Sequence, residues 1–285
     1  MFIMKNINEN VENAINSLLV EENAKKVLRA IKSVFAMSSE NARSNSVSLL
    51  IEAGEGCGAS SYSEAYSAIV DNSFGYANTG NETYLELVFP KNNEADEKLF
   101  YASPKRLATS SNRFYGTMLI SFKEFSGADL IKSCSFNRLL SFVEENKDNI
   151  HFVFHILPEF NAKGRLISKL REVTNVEAVT LGNPGIDEAY KYTISRISET
   201  KTDIEDDALG FLKTTCIPKV IKSKSFKGFK SFDSFADRIY YEAARESRNG
   251  EIILTHKLLE NVIVKYDECL ADESAAVNDG FGFRI

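Results

Sequence analysis

Three glycines and two hydroxyls in one short stretch carry the first chemistry visible in this chain. The segment Ala53-Gly54-Glu55-Gly56-Cys57-Gly58-Ala59-Ser60-Ser61 follows an apolar run, VSLLIEA (47–53). It precedes SSYSEAYSAIV, whose apolar positions recur at helical spacing. Strand, glycine turn and helix in that order build a loop whose backbone N–H groups can face phosphates. Such a loop also needs a lysine for the outer phosphates and a hydroxyl for Mg²⁺. Ser60 stands at the hydroxyl position, but Ala59 stands at the lysine position, and a methyl group does not neutralise a phosphate. Glu55 adds a negative charge where an anion would have to approach.

Two other readings share these glycines. Gly54-x-Gly56-x-x-Ala59 fits the GxGxxG/A loop of a dinucleotide-binding unit, which would call for NAD(P) and an acidic residue on the second strand, where Glu86 stands. Tyr101 and Lys105 have the YxxxK spacing of a dehydrogenase pair. They lie too close behind the loop, however, and Pro104 sits between them where a helix is required. A tight turn with no ligand explains the glycines equally well.

The elements that must position the loop carry more information. Residues 6–20 and EENAKKVLRAIKSVFA have helical spacing, and SSENARSNS (38–46) reads as a connecting loop. Short apolar strands are expected at 47–53, 83–89, 116–122, 150–157 and 176–182, with helices over SFNRLLSFVEENKDN, RLISKLREV and IDEAYKYTISRI between or after them. KNNEADEK (91–98) reads as a charged loop. The alternation from 47 to 197 predicts an α/β domain, a three-layer αβα sandwich with a mainly parallel sheet. From about 203 the strand signals stop, and three helical segments predict a small all-helical domain. Thr255 is its last N-cap, and Asn249-Gly250 is a helix stop. The expected division is residues 1–200 and 201–285.

In order and spacing, this series resembles the AAA+ ATPases over about 19–270. LVEENAKKVL is similar to the family's segment ahead of the first strand, which packs near the adenine, and AGEGCGAS to its Walker A loop. GTMLISFKEF resembles the Walker B strand, IHFVFHILPEF the sensor 1 strand, and GRLISKLREV the helix bearing the arginine finger. GFKSFDSFADRIYYEAAR resembles the sensor 2 helix of the lid. The resemblance implies a nucleotide-binding loop at Gly54, Glu55, Gly56, Cys57, Gly58, Ala59, Ser60 and Ser61. It implies sensor 1 near His155 and an arginine finger at Arg165 or Arg171; a sensor 2 arginine is not evident, although Lys230 and Arg238 lie close. Exposed helix charge explains Arg165 and Arg171 as well. The two acids expected at the end of the Walker B strand are replaced by Ser121 and Phe122, with Glu124 and Asp129 nearby but out of register. Phosphoryl transfer rests on positioning and charge stabilisation, and one missing donor typically costs about 10²–10³ in rate. The resemblance therefore implies an inactive member, a scaffold, adaptor or regulatory subunit that retains at most weak ATP or ADP binding through the loop amides. Its partners would be further copies or an active AAA+ protein. The alternative is a working ATPase with displaced residues.

Composition sets bounds around these readings. The 285 residues are 44% hydrophobic and 26% charged, an ordinary globular balance, and the net charge of −6 argues against a nucleic-acid coat. Cys57, Cys134, Cys216 and Cys269 are dispersed with no CxxC pairing, which fits reduced thiols in the cytoplasm and no metal site. His151 and His155 share a strand face, but no carboxylate lies between them as in a zinc helix. No run is apolar enough to span a membrane, and the start lacks a secretory signal's apolar core. SKSFKGFKSF is basic and aromatic, and the tail NDGFGFRI ends in apolar residues. Neither identifies a ligand.

Overall fold

A computed structural model describes residues 2–37, 47–76, 82–91, 94–107, 113–200, 202–246 and 252–264. The loop 38–46, the stop at Asn249-Gly250, Cys269 and the C-terminal tail lie outside the described residues. By contacts the chain forms two compact units, one of residues up to Gly54 and from Gly58 to Gly182, the other of Glu55–Cys57 and the chain from Asn183 on.

The first unit is built on a five-stranded parallel sheet, ordered β2-β3-β4-β1-β5. The strands are β1 (Val47–Ala53), β2 (Tyr84–Val88), β3 (Gly116–Ser121), β4 (Ile150–Ile156) and β5 (Asn175–Leu181). β3 is buried throughout and β1 and β4 nearly so, the mark of parallel strands covered on both faces. The helices are α1 (Phe2–Ser17), α2 (Glu22–Met37), α3 (Ala59–Phe74), α4 (Glu94–Leu107), α5 (Gly127–Lys132), α6 (Cys134–Asn146) and α7 (Lys163–Arg171). From β1 the chain runs to β2 at the edge, returns through β3 and β4, then passes over β1 to β5. Right-handed crossovers in opposite senses put α3 on one face and α4 to α7 on the other. Phe100 of α4, Phe136, Leu139 and Val143 of α6, and Leu166 and Leu170 of α7 close one core cluster with Met118, Ile120, Phe152 and Phe154.

Strand alternation sends the intervening residues toward α3. His151 is buried there among Phe35, Phe74 and Tyr76, with ring centroids 5.7, 4.5 and 6.2 Å away. On α3, Asp71 accepts a 2.7 Å hydrogen bond from Thr83 Oγ1.

The second unit contains α8 (Ile186–Ser198), α9 (Asp206–Phe211), a π-turn (Leu212–Cys216), α10 (Ile217–Ile221), α11 (Phe229–Glu246) and a last helix, α12, over 256–264. Thr255 caps α12 by accepting from Leu258 N–H at 3.2 Å. The structure moves the expected division from 200 back to Gly182, because α8 buries Ala189 and Ile197 in the helical core with Phe232, Phe235 and Ile239 of α11. The unit also holds a two-residue parallel strand pair, β6 (Asp203–Ile204) with β7 (Ile253–Leu254), too short to read from periodicity.

One expectation about the first unit is corrected. The charged stretch 91–98 is not all loop, because α4 begins at Glu94. Glu94, Asp96 and Glu97 fall in its first turn and Lys105 and Arg106 in its last, the arrangement that suits the helix dipole. Glu97 is buried and accepts from Arg138 at 3.0 Å. Pro104 lies inside this helix, close enough to its end that only the final turn loses a donor.

Burial drives the His151 pKa down to about 3 from 6.5, so the folded protein holds it neutral. A depressed base contributes stability that is present above pH 6.5 and lost as pH falls toward 3. Burial raises Asp71 to about 6 despite Thr83, which gives the opposite slope: its contribution is present below about 3.8 and lost as pH rises through 6. Urea denaturation across pH 7.5 to 5 should therefore show His151→Phe losing less stability on acidification than the parent, by at most about 1.4 kcal/mol per pH unit below 6.5. Asp71→Asn should gain stability at pH 7.5.

Candidate functional site

The carboxyl ends of β1, β3 and β4 converge where the crossovers part, the place at which open α/β sheets carry ligands. β1 ends at Ala53, and the glycine loop carries the chain into α3. Gly56 and Gly58 both have left-handed backbones, with φ of 74° and 86°, which only glycine adopts without strain. Gly58 caps α3 without a side-chain bond, and Tyr62 N–H is the first to close back, onto the Gly58 carbonyl at 2.9 Å. The amides before it stay outside the helical ladder, as a helix N-terminus requires. Ala59 is half-buried, and Ser60 and Ser61 are exposed. The start of α2 lies against this turn: Tyr62 Oη donates to the Ala24 carbonyl at 2.7 Å, which places LVEENA beside the loop.

His155 joins the three strand ends. Its Nε2 lies 3.1 Å from the Ala53 carbonyl, and its Nδ1 lies 3.0 Å from Ser121 Oγ. A carbonyl only accepts, so Nε2 carries the proton and Ser121 donates to Nδ1. Burial lowers the His155 pKa, against the raising effects of the Ala53 carbonyl and the Glu86 carboxylate. The string Ser121–His155–Ala53 is therefore neutral and fully bonded, and Ser121 is only 5% exposed.

Phe122 points to the other face of the sheet. It is fully buried, stacked on Phe154 at 6.1 Å with 3° between the ring planes, and edge-on to Phe89 at 5.6 Å. Pairs of this kind add about 0.5–1.5 kcal/mol beyond area burial.

The remaining sequence candidates are dispersed. Arg165 is exposed on α7, and Arg171, at its end, donates to the Val176 carbonyl at 3.3 Å. Glu124 is exposed, and its carbonyl accepts from Lys91. Asp129 accepts from Ser126 at 2.5 Å in the first turn of α5. Lys105 and Lys123 are exposed. The structure brings Glu86, rather than Glu124 or Asp129, to the loop: Ser60 Oγ donates to Glu86 Oε1 at 3.2 Å. Reading strand 83–89 as a neighbour of β3 would have found this contact, since its parallel register sets Glu86 level with Leu119, two residues before Ser121. On β1, Glu52 pairs with Lys163 and accepts from Thr180 at 2.9 Å, a tie across to β5. Among the described residues, no group of three His, Cys, Asp or Glu side chains is placed to hold a metal.

The sheet order and the loop, flanked by helices on both faces, define the fold of the AAA+ P-loop ATPases. A point variant of RuvB from Thermotoga maritima superposes with a TM-score of 0.56 at 13% identity, covering 88% of this chain and 72% of that one. The Thermotoga maritima RuvB Holliday junction branch migration motor gives 0.54 at 14% identity, over 86% and 70%. At such identities the likeness is one of fold. No protein-family model and no curated protein matches the chain.

Phe122→Glu should abolish cooperative folding, since a carboxylate there would be buried without a partner. His155→Ala should cost about 1–3 kcal/mol by leaving the Ala53 carbonyl without its donor. A double-mutant cycle with Ser121→Ala, read by urea denaturation, should show coupling between the two residues.

Proposed function

We propose that this chain is a catalytically inactive AAA+-like protein that acts as a scaffold, adaptor or regulatory subunit, assembling with copies of itself or with an active AAA+ protein. The observation that carries the reading is Phe122. The resemblance puts a catalytic acid at this position, and here the side chain is sealed in an aromatic stack. Beside it Ser121, in place of the metal-binding acid, donates a hydrogen bond to a neutral histidine. Ala59 offers the phosphates no cation. Three electrostatic contributions that phosphoryl transfer relies on are thus replaced by groups with other structural roles. The loop amides remain for weak ADP or ATP binding. The branch-migration role of RuvB is not carried over, because the two chains share a fold and this one has a net charge of −6.

One observation favours a second reading, an ATPase with displaced residues. The Glu86 carboxylate lies at the Ser60 hydroxyl, where a metal would sit in a working loop. Phosphate release from Mg²⁺–ATP separates the two readings. The inactive reading expects no turnover above buffer and no gain with Ala59→Lys alone. Turnover abolished by Ser60→Ala or Glu86→Gln would overturn it.

A further inference from the structure

The tip of the glycine loop, Glu55–Cys57, packs within the second unit against the start of α11. Phe229 N–H, the first amide of that helix, donates to the Gly56 carbonyl at 2.8 Å. The two backbones touch: a Cβ on Gly56 would stand 2.2 Å from the Lys227 carbonyl oxygen, and one on Gly228 2.5 Å from the Gly56 oxygen. Gly228 is left-handed, with φ of 56°. Lys227 N–H is satisfied by Ser231 Oγ at 2.8 Å, so the 227–231 turn closes on itself as it meets the loop. Lys230, in the first turn of α11, donates to Glu55 Oε1 at 2.9 Å.

A lysine in the first turn of an 18-residue helix, facing a glycine loop, is an arrangement that attracts an anion. Here the anion is the protein's own carboxylate. The pair stays 60% and 56% exposed, so it adds little stability, and its charge is the property that needs explaining. We infer that Glu55 is an internal anion standing where a phosphate group would be held: it takes up Lys230 and repels phosphate, while the Gly56–Gly228 crossing holds the loop tip without a ligand. This rests on the reading of the loop as a phosphate loop by descent, and it adds the residue that weakens the loop's hold on phosphate.

Calorimetric titration with ADP and with pyrophosphate tests it on the full chain. ADP is not hydrolysed in the assay, so the outcome is independent of whether the protein turns over ATP. The parent should bind both ligands only weakly, without saturating at millimolar ligand. Glu55→Gln should bind both ligands at least about tenfold more tightly, as a repelling charge is removed and a cation released. Glu55→Gln with Lys230→Gln should lose that gain, and the exchange Glu55→Lys with Lys230→Glu should return to the parent. Because both side chains are largely exposed, thermal melts of all variants should match the parent closely. The inference falls if Glu55→Gln binds no better than the parent, or if its gain survives loss of Lys230.

Discussion

Strand β1 is hydrogen-bonded on both sides, to β4 and to β5, and the rest of the first unit depends on that double pairing. A parallel strand in this position must be apolar on both faces, which VSLLIEA satisfies apart from Ser48 and Glu52. Both exceptions are tied down, Ser48 to Thr174 at 3.0 Å and Glu52 to Lys163 and Thr180. With β1 fixed, its carboxyl end has one place to go, and the loop leaves the sheet beside the ends of β3 and β4. His155 then bonds the Ala53 carbonyl because β4 is the neighbour of β1, and Ser121 meets His155 because β3 is the neighbour of β4. The site is a consequence of strand order.

Alternation along β3 and β4 separates two roles that a phosphate-hydrolysing site would combine. Odd positions, Ser121 and His155, face α3 and form a neutral polar string. Even positions, Phe122, Phe152 and Phe154, face α4 to α7 and stack as core. A negative charge at Phe122 would enter a face packed with the rings of Phe89, Phe136 and Phe154. The cost of placing an acid there is therefore a cost to folding. The lysine position differs in kind: Ala59 is half-buried at a helix start, and a longer side chain would not disturb a packed core.

The sheet was legible in the sequence because each strand is a short apolar run bounded by turn residues, and the observed ends fall within a residue or two of expectation. α4 was not legible, since three acids at a helix start look like a solvated loop until the dipole is considered, and Pro104 argued against a helix that in fact extends past it. The boundary before α8 was missed because its buried face, Ala189, Thr193 and Ile197, fits either a sheet-packing or a bundle helix. Only partners such as Phe232 and Ile239 decide between them. At the site, the glycines, Ser121, Phe122 and His155 were all readable as positions, but their bonds were not. The contact of Ser60 with Glu86 and that of Glu55 with Lys230 join residues far apart in the chain, and no local pattern encodes either.

Glu55 and Ala59 differ in what they do to the loop. Ala59 offers a phosphate no cation and leaves the loop backbone as it is. Glu55 supplies a carboxylate to a lysine, and Gly56 and Gly228 lack the side chains that would keep their backbones apart. Both glycines are needed in left-handed geometry for the crossing to form. Both features follow directly if holding the loop tip is itself the task, and Gly56 and Gly228 serve a contact between two backbones.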